Sequence, residues 1–321
     1  MKNIDQIKTD LTKDEQKICH NFAGLPVVCE GQILLDRYKI ESLQGKGRYG
    51  LVYQALDMNS NTLIALKVLD NSLTEDESTI TNFRNELVAV KKLIHPNIIK
   101  FHEYHQVADL HFITMDWIEG DSLENIIASE SLSAGQTLDI IQQLMEGLNY
   151  AQQAGVKHLD IKPENIMLDN KGNLFIADFG LSVLSKDMTS TRLNGGPYYA
   201  PPEYLLHSES NHTTDLYAAG VVFYQLCCDK LPFIQQTADL SADEKLKRKP
   251  SFAPTKKQFK PLKTWIASLI ESDKDKRPTT IAIAIERYFD AIEKKQDNFF
   301  GIKIGLVTLV AIVAFYFASL L

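Results

Sequence analysis

A lysine set in an apolar strand and a run of glycines upstream of it are the residues whose types and spacing first suggest chemistry. Lys67 stands in Leu63-Ile-Ala-Leu-Lys67-Val-Leu69. An ammonium in such a setting is costly to bury unless a carboxylate pairs with it. Nineteen residues on, Glu86 lies on a candidate helix and offers one. That pair would fix the lysine head group against phosphate oxygens. Upstream runs Gly45-Lys46-Gly47-Arg48-Tyr49-Gly50-Leu51-Val52. Glycines let backbone N–H groups approach phosphates with no Cβ in the way. In a dinucleotide-binding motif a helix would follow, with an acidic residue about 20 positions on. Here a strand-like run follows, and Lys67 comes 17 residues after Gly50. The pattern reads as a Gly-rich hairpin folding over phosphates.

The elements that must position these residues change character along the chain. Strand-like runs cover Tyr38–Leu43, Leu51–Leu56, Thr62–Leu69, Ile98–His105 and His111–Trp117, with turn residues such as those at 57–61 between them. One helical stretch, Thr79–Leu93, interrupts them. After Gly120 the apolar spacing becomes helical, over Leu123–Ala128, Ala134–Ala154, Thr213–Cys228, Leu262–Ile270 and Thr279–Lys295. A small β-rich lobe followed by a larger helical lobe is expected, with the seam near residues 117–120.

Of the 321 residues, 45% are hydrophobic and 23% charged, which gives ample core for a globular fold. The net charge of −7 gives no general footprint for nucleic acid, which would want a basic face, so no nucleic-acid partner is expected. Cys19, Cys29, Cys227 and Cys228 have no metal-ligand spacing and read as reduced thiols in a cytosolic setting, each buried as a small hydrophobe.

The order of motifs resembles the eukaryotic-type protein kinase family. The resemblance runs from about Tyr38 to Phe289. It rests on G-x-G-x-x-G-x-V at 45–52, Ala65-Leu-Lys67, His158-Leu-Asp160-Ile-Lys162-Pro-Glu-Asn165, Asp178-Phe-Gly180 and Pro201-Pro-Glu203. It implies an α+β, bilobal protein-kinase-like fold, with a β-rich N-lobe at 33–117 and a helical C-lobe at 118–296, preceded by an extension at 1–32. It also implies transfer of the γ-phosphoryl group of ATP to a protein substrate, with ATP and Mg²⁺ as cofactors. By the same resemblance, Asp160 is the catalytic base and Lys162 neutralises the migrating phosphoryl group, with Lys67 and Glu86 completing the catalytic set. Asn165 and Asp178 hold the metal. ATP would be bound by Gly45, Lys46, Gly47, Gly50, Val52, Ala65, Lys67, Met115, Asp116 and Ile118, with Met115 as gatekeeper and 116–118 as hinge. Glu203 and Arg277 resemble the family's buried ion pair, and Asp215 the residue that braces the catalytic loop. Lys162-Pro-Glu-Asn165 resembles the Ser/Thr branch.

Two positions depart from the family pattern. Leu159 stands where many members have an arginine that pairs with a phosphate on the activation loop. Weak dependence on such phosphorylation is therefore expected, and alanine at Thr189, Ser190 and Thr191 should leave activity unchanged. Gly196 stands where Ser/Thr members have a threonine near the catalytic aspartate. These departures keep a second class open: a membrane-anchored pseudokinase scaffold that binds nucleotide without transfer. A small-molecule kinase of the aminoglycoside type is disfavoured by the complete Gly-rich loop and by Pro201-Pro-Glu203.

The N-terminus has no apolar segment that would make a secretory signal. At the other end, Ile304–Leu321 carries no charge over 18 residues. As a helix it would span about 27 Å, close to a bilayer's hydrocarbon core. One C-terminal transmembrane helix, residues 299–321, is expected. Arg287, Lys294, Lys295 and Lys303 precede it, which places the kinase domain on the cytoplasmic side of a single-pass membrane protein. Gly301 and Gly305 form a G-x-x-x-G that would let two spans meet in a homodimer. Lys245–Lys263 holds eight Lys/Arg and no acid; it reads as a solvated loop, or as a patch for anionic lipid or acidic substrate.

Overall fold

The computed structural model describes residues 28–129, 132–182, 198–233 and 250–297. The first lobe is a curled, antiparallel six-stranded sheet. Its strands are β1 (Ile33–Leu34), β2 (Tyr38–Gly47), β3 (Gly50–Asp57), β4 (Thr62–Leu69), β5 (Phe101–Val107) and β6 (Leu110–Asp116). They lie in the order β1-β2-β3-β4-β6-β5. Strand alternation sends Tyr38, Ile40, Tyr53, Leu66 and Phe112 into one buried cluster. Helix α1 (Glu77–Val90) meets β5 through Phe83, which stands edge-on to Tyr104. It starts two residues before the expected Thr79, because the Asp76 side chain accepts from the Thr79 N–H and caps it.

The second lobe is helical. It contains α2 (Leu123–Ser129), α3 (Ala134–Gln153), α4 (Pro202–His207), α5 (His212–Cys228), α6 (Lys263–Leu269) and α7 (Ile281–Asp297). Ser133 with Gln136 and Asn211 with Thr214 form capping boxes that fix the starts of α3 and α5. Helix α5 is buried on every face except Gln225 and its first residue, so it is the central rod of the lobe. A small sheet of β7 (Gly120–Ser122), β8 (Ile166–Asp169) and β9 (Leu174–Ile176) sits where the lobes meet.

The lobes are stapled through β9. Ile98 bridges Ile176 in parallel, Ile99 donates to the Ile176 carbonyl at 2.9 Å, and Ile176 donates to the Asn97 carbonyl at 2.8 Å. That pairing explains why β5 begins at Phe101 and not at the expected Ile98: the two isoleucines are committed to the other lobe. Among the described residues no helix is long and apolar enough to cross a membrane. The expected span at 299–321 lies outside them.

The cysteines correct one expectation. Cys227 and Cys228 are buried and free, and burial pushes the Cys227 thiol up to about 12. Cys29 is disulfide-bonded, to a partner outside the described residues. Disulfide formation depends on proximity in space, and the sequence spacing alone gave no sign of it.

Candidate active site

The antiparallel register of β8 with β9 places Ile166 opposite Ile176. One step back on one strand meets one step forward on the other, and the Ala177 N–H donates to the Asn165 carbonyl at 2.9 Å. Asn165 and Asp178 are thereby brought to one end of this sheet. The loop before Asn165 is held from beneath. Asp215, buried on α5, accepts from the backbone N–H groups of His158 at 2.8 Å and Leu159 at 2.7 Å. Burial pushes its carboxyl up, while those two donors and the nearby His158 hold it down. Leu159 has φ +64° and Asp178 has φ +65°. Left-handed backbone at non-glycine residues survives only where surrounding contacts over-determine it. Here the Asp215 contacts supply that restraint at Leu159, with no arginine present. His158, fully enclosed, meets the Ala177 carbonyl at 2.6 Å and stands edge-on to Phe179 at 4.6 Å.

Asp160 is the focus of this loop. The Asn165 side-chain amide donates to the Asp160 carbonyl at 2.8 Å and to its carboxylate at 3.1 Å. The Lys162 ammonium lies 3.3 Å from the same carboxylate. A carboxylate fixed by a neutral amide and a flanking cation is aimed, as a proton acceptor must be.

Lys67 comes to this site from the other lobe and is only 2% exposed. Its ammonium pairs with Asp178 at 2.6 Å. The sequence pointed to Glu86 as the partner, and the structure differs. Glu86 is half-buried on α1, and its Cγ lies 3.5 Å from where a Cβ on Gly180 would sit, so it faces the Asp178-Phe-Gly180 turn. Two carboxylates compete for one ammonium, and the nearer one holds it.

The Gly-rich segment forms the β2–β3 hairpin, with Gly47 opposite Gly50. Gly50 has φ +147°, and a Cβ there would stand 1.8 Å from the Val68 carbonyl oxygen, so only glycine fits. Lys46 is exposed, and Gly45 faces open space. Val52 pairs with Lys67 across β3–β4, and Ala65 pairs with Met115 across β4–β6, which puts these four residues on adjoining strands. Met115 is buried, and Asp116 and Ile118 follow it half-buried. The Asp116 carboxylate lies 2.7 Å from His102.

Sequence reasoning did not single out two members of the site. Arg48 lies 3.5 Å from the Asp160 carboxylate, and the Tyr49 hydroxyl donates to it at 3.5 Å. Both sit inside the glycine motif, whose reading attended to the glycines. An arginine and an aromatic at the tip of a phosphate loop are the signal that was available. Thr189, Ser190, Thr191 and Gly196 lie outside the described residues.

The donor set fits magnesium. The Asn165 NH₂ is committed to Asp160, which leaves its oxygen as the free donor, and Asp178 supplies a carboxylate. Hard oxygens in small number suit Mg²⁺, which keeps waters and takes further ligands from phosphates.

The sheet lobe over a helical lobe, with these groups converging between them, is a protein-kinase architecture. The family model for the protein kinase domain matches residues 38–289, and the chain belongs to the protein kinase family. It is 34% identical over 241 residues to the serine/threonine-protein kinase pkn3 of Myxococcus xanthus, covering 71% of this chain and 44% of that protein. It is 31% identical over 235 residues to the serine/threonine-protein kinase PrkC of Bacillus subtilis, covering 72% of this chain and 36% of that one. The chain thus matches less than half the length of these relatives. The kinase domain of Mycobacterium tuberculosis PknI superposes with a TM-score of 0.66 at 20% identity, covering 82% of this chain and 99% of that domain. At that identity the likeness concerns the fold.

Proposed function

We propose that this chain transfers the γ-phosphoryl group of ATP to serine or threonine hydroxyls of proteins. The observation that carries this reading is the convergence on one cleft of Asp160, fixed by Asn165 and Lys162, with the Lys67–Asp178 pair. In this reading Asp160 accepts the proton of the acceptor hydroxyl. Lys162 neutralises charge on the transferring group, and Lys67 holds the nucleotide's phosphates. Asn165 and Asp178 hold magnesium. Mg-ATP supplies the electrophilic phosphorus and bridging charge. What remains for the protein is positioning and cationic stabilisation. The names of the relatives and the Lys162-Pro-Glu-Asn165 segment support serine or threonine as acceptor.

We place the domain at the cytoplasmic face of a membrane, held by the uncharged run 304–321. Support for this comes from the sequence. The basic stretch would add attraction to anionic lipid. In its described part, Lys256 is engaged by Asp229 at 2.7 Å, and Lys263 lies 5.8 Å from the Phe252 ring.

A scaffold that binds nucleotide without transfer has one observation in its favour: Lys67 is paired with Asp178 and not with Glu86. Labelled ATP with Mg²⁺, offered to the full chain in detergent beside its D160N form, separates the two readings. Label on serine or threonine from the parent, lost in D160N, is the expected result. Nucleotide binding with no label from either form would establish the scaffold.

A further inference from the structure

The tip of the Gly-rich loop lies inside the cleft. Tyr49 is 1% exposed, and its ring lies 5.4 Å from the Lys67 ammonium. Its carbonyl accepts from the Asp70 N–H at 2.9 Å, which fixes the backbone beside it. A Cβ on Gly47 would stand 3.5 Å from the Lys67 Nζ. The loop itself therefore occupies the space beside Lys67 that a phosphate would need. On the far side, one Asp160 oxygen faces the Arg48 guanidinium at 3.5 Å. The other meets the Tyr49 hydroxyl at 3.5 Å, Lys162 at 3.3 Å and Asn165 at 3.1 Å. Arg48 thus stands over the one Asp160 oxygen that Lys162 and Asn165 leave open, where an acceptor hydroxyl would bind.

We propose that Arg48 and Tyr49 form an autoinhibitory latch that holds the Gly-rich loop down on Asp160, so that nucleotide and protein acceptor are excluded together until the loop lifts. This rests on the kinase reading of Asp160 and Lys67. The β2–β3 ladder shifts register between Leu43 and Gly45 and pairs regularly from Gly45 to the tip, so the end of the hairpin would lift as one unit about that irregularity. Arg48 and Asp160 keep 23% and 15% side-chain exposure, so their attraction is modest and breakable. A protein whose binding-competent state is only partly populated shows an apparent affinity reduced by that fraction.

The test is a double-mutant cycle on the full chain with R48A, D160N and the double variant. Hydrogen exchange of the loop amides 44–50 reads the latch directly and needs no catalysis. Binding of a fluorescent ATP analogue reads its consequence. Each single variant should speed loop exchange and tighten nucleotide binding by about twofold to fivefold. The double variant should show little further change. Exchange that stays at the parental rate, effects that simply add, or weaker nucleotide binding in R48A would overturn the latch and make Arg48 a phosphate clamp. A parent and variants that all bind no nucleotide would refute the kinase reading instead, and exchange would still decide the loop contact.

Discussion

Arg277 grips Glu203 through two parallel hydrogen bonds, of 2.6 and 2.9 Å, with the Arg277 side chain wholly enclosed. The same guanidinium donates to the Glu271 carbonyl at 2.7 Å and the Ser272 carbonyl at 3.3 Å, and lies 4.7 Å from the Tyr217 ring. The pair ties α4, which follows the activation segment, to the chain just before α7. Removing one partner strands a buried charge, which costs about 3–5 kcal/mol. We expect E203A to lower the unfolding free energy from urea titration by that amount. E203L/R277M, which removes both charges, should regain most of it. Equal losses in the single and double variants would show that the pair's geometry matters less than the space it fills.

Asp215 supports the catalytic loop by accepting two backbone N–H groups. Asparagine can accept only through its oxygen, so D215N leaves one of those donors unmet. A buried unpaired donor costs about 1–3 kcal/mol. Leu159 would also lose the restraint on its left-handed backbone. We expect D215N to reduce stability by that amount and to reduce phosphate transfer at least tenfold, with nucleotide affinity nearly unchanged. Transfer at the parental rate would show that the loop keeps its shape without this brace.

The Lys67–Asp178 pair makes the two acids, Glu86 and Asp178, testable separately. Glu86 has no ion pair to Lys67 in this state, so E86Q should leave the unfolding free energy within about 0.5 kcal/mol of the parent. D178A abandons a buried ammonium and should cost about 3 kcal/mol or more. If Lys67 moves to Glu86 during turnover, E86Q should still cut transfer about tenfold. An E86Q protein with full activity would show that the Asp178 pairing persists through the cycle.

These contacts also mark what the sequence could and could not reveal. The hairpin and the strand around Lys67 were legible because alternation and glycine placement are local properties. The kinase motifs located Asp160, Asn165 and Asp178 because their spacing reflects one loop and one turn. The choice between Asp178 and Glu86 was not legible, since sequence separation carries no distance. Ile98 and Ile99 look like the start of a strand and are spent on a bridge to Ile176. The short strands β7 and β8 and the single-turn helix α4 gave too few residues to show a period. The disulfide at Cys29 depends on proximity in space.

Two histidines of the sheet lobe make stability depend on pH. Burial lowers the pKa of His105, with Arg37 adding to that and Glu103 opposing it. Burial also lowers that of His111, with Arg84 adding and Asp109 opposing. Their rings meet Tyr38 at 3.0 Å and Tyr104 at 2.6 Å. An unfolded histidine titrates near about 6.5. Between that value and the lower folded pKa, the unfolded chain binds more protons than the folded one. Stability therefore rises with pH through this window and is lost as pH falls below about 6.5. We expect the urea midpoint to drop between pH 7 and pH 5, with a shallower drop in H105N/H111N. A parental profile that is flat over this range, or one whose slope the double variant leaves intact, would assign acid sensitivity to other groups.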